Sequence, residues 1–111
     1  MTPDELDGPA ADPGHHRILF ENEVVRVLET TIPAGDRTPV HSHLTPTASY
    51  IVSGSHMVRR DPEGTILLDT RMDPTFVMPR VQFSTGIPPH TLENPGPEDI
   101  VVIGVELLDR R

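Results

Sequence analysis

The chain has no cysteine, no lysine and no tryptophan, and its aromatic residues are one tyrosine and three phenylalanines in 111 residues. Without cysteine there is no disulfide framework, no thiolate zinc or iron–sulfur site and no thiol nucleophile, so any metal must be held by nitrogen and oxygen. Without lysine, Schiff-base chemistry and a lysine general base are excluded, and all nine basic residues are arginines. Those arginines are scattered through a chain of net charge −8, which lacks the clustered basic footprint of nucleic-acid binding. No apolar run approaches the roughly 18 to 20 residues that a bilayer span requires, and the opening MTPDELDGPAADPG is acidic and proline-rich. Neither a nucleic acid nor a membrane is an expected partner, and the expected location is the cytoplasm.

What is present reads as β-structure. Residues 1–14 are rich in Pro, Asp, Gly and Ala and bury too little to offset their ordering entropy, so they are expected to form a flexible tail ahead of a single domain, 15–111. From His15 onward, runs rich in Val, Ile, Leu and Thr alternate with turn signals such as ENE, PAGD, SGS, DPEG and ENPGPED. Strands are expected near 17–20, 24–32, 39–43, 47–53, 55–60, 64–69, 75–78, 81–84, 89–93 and 99–107, with no capped helical window among them. That many short strands make a small barrel or sandwich. The last, IVVIGVELL, is almost continuously apolar, which predicts burial on both faces, between sheets or at the contact of a homodimer.

Among the six histidines, His41 and His43 stand two apart on an expected strand. Their side chains therefore share a face and can share an ion, although a solvent-facing pair would look the same. His90 follows TGIPP, where Pro88 and Pro89 restrict the backbone and set the direction of the next strand. If Thr47 faces inward, so do Ser49, Ile51 and Ser53, while Tyr50 faces out. His56, Arg80 and Gln82 are further candidates for orienting a substrate, with their inward register open. His15 and His16 are expected to meet water beside the tail, and Arg59 and Arg60 to form a solvated strand end.

Gly35, His41, His43, Thr47 and Gly54 resemble, in their spacing, the first motif of the cupin superfamily. His90 and Asn94, preceded by a glycine and prolines, look like the end of the second. The resemblance extends from His15 to the C-terminus and implies an all-β double-stranded β-helix, the cupin or jelly-roll barrel. It also implies a divalent metal inside, on His41, His43 and His90. The family's glutamate position is Thr47, Gly86 lies four residues before His90 rather than three, and Ser84 stands where proline is usual.

The resemblance does not choose the ion among Fe, Zn, Ni, Cu and Mn. It implies a metal-dependent enzyme acting on a small oxygen-rich or chelating organic substrate. With Fe(II) the chain is similar to three-histidine cupins that cleave diketones or oxidise thiols. With Zn or Ni the ion would act as a Lewis acid in a cyclase, isomerase or lyase reaction. The alternative is a non-catalytic cupin module that binds a small ligand, with or without metal. No catalytic acid or base is assigned.

Overall fold

The computed structural model describes residues 2–108, which form nine strands in two antiparallel sheets. In chain order the strands are β1 (His16–Glu21), β2 (Val25–Ile32), β3 (His41–His43), β4 (Thr47–Ser53), β5 (Val58–Arg60), β6 (Ile66–Asp69), β7 (Val81–Ser84), β8 (Ile87–Glu93) and β9 (Ile100–Leu107). One sheet runs β1-β2-β9-β4-β7 and the other β3-β8-β5-β6. The turns and short strands form the expected all-β double-stranded β-helix, two antiparallel sheets with the space between them as the interior of the barrel.

Strand alternation decides what faces that interior. Along β2, Leu28, Thr30 and Ile32 line the central cavity, while Glu29 and Thr31 alternate to the other face of the sheet. On β9 the inward set is Ile100, Val102, Gly104 and Glu106. Its other residues, Val101, Ile103 and Val105, are only half-buried on the outer face, so the nearly continuous apolar run is half interior wall and half outer surface. Fully buried aliphatic residues are few, with Ile32 and Val58 at 0% exposure, because much of the inter-sheet space is cavity rather than packed core.

Turns are closed by the residues expected to close them. Asn22 accepts hydrogen bonds from the Val24 and Val25 amides, both at 2.8 Å, between β1 and β2. Asp61 accepts from the Glu63 and Thr65 amides, and Gly64 takes φ +91°, a left-handed conformation that costs glycine little. The expected strand at 75–78 is absent. Asp73 accepts from both the amide and the hydroxyl of Thr75, and this local turn competes successfully with sheet pairing.

The N-terminal segment holds two single turns of helix, α1 (Pro3–Leu6) and α2 (Gly8–Ala11), where composition gave no helical signal. Both follow a start signal: Thr2 accepts from the Glu5 amide at 3.2 Å, and each turn has proline at its beginning. This segment packs against β1 and β3, with a bridge between Asp7 and Ser42. Asp7 pairs with Arg26, and Gly8 approaches His43 so closely that a Cβ there would sit 2.6 Å from the ring.

Candidate metal centre

Sheet register brings the expected histidines together. His41 on β3 lies opposite His90 on β8, but His43 lies opposite Ile87, so the single residue Ser42 on β3 faces two on β8. The extra residue falls at Pro88–Pro89, which have no amide to give a ladder, and a bulge is where a sheet tolerates them. Both histidine rings then point into the cavity, with centroids 4.5 Å apart. Gly86 permits the approach: at φ +153° it passes the Leu44 carbonyl at a distance that would leave an added Cβ 3.1 Å away.

His16, expected to meet water, is instead 3% exposed and joins the cluster from the first position of β1. Its Nε2 lies 3.3 Å from His43 Nε2, and ligand atoms of His16, His41 and His43 all lie within 4.8 Å of one another. His90 stands just outside that tight group, against His41 and with its ring centroid 6.0 Å from that of His43. The HxH spacing disclosed two members and the proline-preceded histidine a third. His16 carried no spacing signal, because only the pairing of β1 with β2 and the adjacent α2 bring it inside.

Three rings are oriented by the backbone. His41 Nδ1–H donates to the Pro39 carbonyl at 2.9 Å, His90 Nδ1–H to the Pro88 carbonyl at 2.7 Å, and His16 Nδ1–H to the Asp12 carbonyl at 3.1 Å. A carbonyl can only accept, so in each neutral ring the proton is on Nδ1 and Nε2 keeps its lone pair. Burial, followed by the neighbouring histidines, pushes His43 down to about 2; burial is also the main cause that lowers His90 to about 4. His41 and His16 are lowered for the same first reason. The rings are therefore neutral at physiological pH, the form in which imidazole binds metal.

His15 behaves oppositely although it is the next residue. Asp12 and Asp36 each take one ring nitrogen at 2.7 Å. Burial works against its charge, but those bonds outweigh it and hold its pKa above the ordinary value.

The cavity measures about 140 Å³, near the size that admits a benzene-sized guest. Thr47 lines it as expected, but its hydroxyl donates to the Thr45 carbonyl at 2.8 Å. Ser49, Ile51 and Gln82 also face in, and Tyr50 is exposed, as alternation predicts. Ser53 leaves the pattern after a register shift and donates to the Asp99 carbonyl. Arg80 is outside, within 3.4 Å of the Tyr50 hydroxyl, and His56 is half-buried with Nδ1 2.9 Å from Thr70 Oγ1.

Two cavity residues escaped the sequence reading. Glu106, 0% exposed and directly opposite Thr47 across β4 and β9, is gripped by Arg26 at 2.6 and 3.1 Å. Arg59, read as a solvated strand end, turns inward and lines the cavity.

Neither a protein-family model nor a curated protein matches the sequence. Solved structures do match in shape. A cupin domain from Bordetella pertussis Tohama I superposes with a TM-score of 0.66 at 19% identity, over 85% of this chain and 92% of that one. An RmlC-like protein with a double-stranded β-helix fold, from Methanocaldococcus jannaschii, gives 0.57 at 13% identity over 84% and 78%. A predicted oxalate decarboxylase from Thermotoga maritima gives 0.52 at 19% identity over 85% and 79%. Among the described residues, no helix is long and apolar enough to cross a membrane.

Proposed function

We propose that this chain, which has the cupin double-stranded β-helix fold, is a metal-dependent enzyme acting on a small, oxygen-rich or chelating organic substrate. The ion sits on His41, His43 and His90, with His16 supplying the donor that Thr47 does not. The observation that carries this reading is the set of buried imidazoles whose Nδ1 atoms are tied to backbone carbonyls. Such anchoring is the usual support of a metal-ligating histidine. Two nitrogens about 2.1 Å from one ion lie about 3.0 to 3.4 Å apart at octahedral or tetrahedral angles, and the His16–His43 separation is 3.3 Å.

A bound divalent ion would supply Lewis-acid or redox chemistry to an oxygen-bearing ligand. Four imidazoles would close a tetrahedral ion, so catalysis calls for a five- or six-coordinate one, which favours Fe, Ni or Mn over Zn. The chain's own contribution is to keep the rings neutral, fix their tautomer and hold the ligand among apolar walls such as Leu28, Ile51 and Val102.

The enzyme reading includes a homodimer formed through the outer face of the five-stranded sheet. There Phe83, Ala48 and Val105 align across three strands, as do Val81, Tyr50 and Ile103. Val81 is 70% and Phe83 59% exposed in the single chain, a contiguous apolar surface of the kind that marks an interface.

Elemental mass spectrometry on untagged protein, purified without chelators and dialysed, tests the centre. Near-stoichiometric metal is expected, lost in the His41, His43, His90 triple alanine variant and weakened in His16→Ala. A wild-type protein that takes up no added divalent ion would overturn it and leave a metal-free ligand-binding module.

A further inference from the structure

β5 carries two arginines side by side, and alternation sends them to opposite faces. Arg60 pairs with Glu93 at 2.6 Å. Arg59 lines the cavity with Met57, His90 and Leu92 and has no ionic partner among the described residues. Its Nε is buried without a hydrogen bond, and burial is the one influence that moves its pKa, downward. Arg26, which meets the cavity wall only through Glu106, differs: it stands on the opposite sheet and is neutralised by Glu106 and Asp7.

Arg59 is half-buried, and an arginine held against a cavity wall without a counter-charge, with its Nε shut off from solvent, costs folding free energy and leaves a donor set directed at something else. An anion answers both the charge and the free donors. The planar fork of the guanidinium matches a carboxylate in two parallel hydrogen bonds, and apolar surroundings strengthen them. From the structure we infer that Arg59 is the anchor for a carboxylate, so that the ligand of this cavity is a small organic acid held at one end by Arg59 while its other end faces the histidine cluster. The second half of this statement rests on the proposed metal centre; the first does not. The volume of about 140 Å³ limits the acid to a few carbons or a single small ring.

Calorimetry with malonate as the probe, and malonamide as its neutral analogue, tests the anchor on chelator-treated and metal-loaded protein. Wild type is expected to bind malonate in both states and to prefer it to malonamide. Arg59→Met should weaken malonate about ten- to a hundredfold, the usual worth of a hydrogen bond to a charged group, while metal content stays unchanged. Arg59→Lys should retain part of the affinity, since it keeps the charge and loses the fork.

Malonate affinity equal in wild type and Arg59→Met would overturn the anchor, with metal content still reporting on the centre separately. Failure to discriminate malonate from malonamide would overturn it without any variant. Tighter Arg59-dependent binding of inorganic phosphate than of malonate would reject the carboxylate assignment. Arg59-dependent malonate binding in a protein that takes up no metal would leave the anchor standing and remove the centre.

Discussion

Glu106 and Arg26 show how one residue's surroundings set its role. Glu106 is fully buried, and Arg26 offers it two hydrogen bonds while also reaching Asp7. Burial opposes the charge on Arg26, yet Glu106 and Asp7 hold its pKa above the ordinary range. Removing one member of such a pair leaves the other uncompensated, so Arg26→Met should lower stability by roughly 3 to 5 kcal/mol. Arg17→Met, which breaks a pair in which Arg17 is 70% exposed, should lower it by less than about 1 kcal/mol. Urea unfolding of both variants makes the comparison. Thr47→Glu belongs to the same scale: it sets a second carboxylate beside Glu106, where like charges oppose each other. The chelator-treated variant should therefore melt below wild type, and added metal should raise its melting temperature by more than it raises that of wild type; an equal rise in both would show that position 47 does not reach the ion.

At the scale of elements, the turn between β8 and β9 hangs on Asn94. Its side-chain amide donates to the Ile32 and Glu98 carbonyls at 2.9 and 2.7 Å and accepts from the Gly96 amide at 3.0 Å. It thus ties the end of β2 to the loop that launches β9. Asn94→Ala leaves two carbonyls and an amide unsatisfied at a buried site, and a loss of about 2 to 4 kcal/mol is expected in chemical denaturation. The element also explains a motif residue: Asn94 acts by holding strands in place, not by touching the cavity. The Pro88–Pro89 bulge has a comparable part, because the carbonyl of Pro88 is what orients His90.

For the whole molecule, neutral buried histidines make the metal-free protein sensitive to acid. The folded pKa values of His43 and His90, about 2 and about 4, lie below the unfolded value of 6.5. Between the folded and unfolded values the unfolded chain carries more protons, so stability rises with pH in that window. Chelator-treated protein should hold its full stability above about pH 6.5 and lose it progressively as pH falls towards 4, as read by thermal melts across a buffer series. Metal bound to the folded state alone should raise the melting temperature and move the acid transition lower.

Residue chemistry alone excluded a thiolate ligand and a disulfide framework. Period-two patterning with turn signals determined an all-β barrel or sandwich, and the HxH pair and the proline-led His90 marked three residues of the cluster. These were legible because strand parity and backbone-restricting residues act locally. Tertiary structure decided the remainder. His16 enters the cluster because β1 pairs with β2, Glu106 reaches the cavity because β9 lies between β2 and β4, and the helical turns at Pro3–Leu6 and Gly8–Ala11 pack against β3. Arg59 faces inward although its sequence neighbours suggest a solvated end, because the five-stranded sheet lies over that face of β5, while Arg60 takes the other face. Each of these depends on which distant segments become neighbours, and that is settled by the packing of two sheets rather than by any local preference.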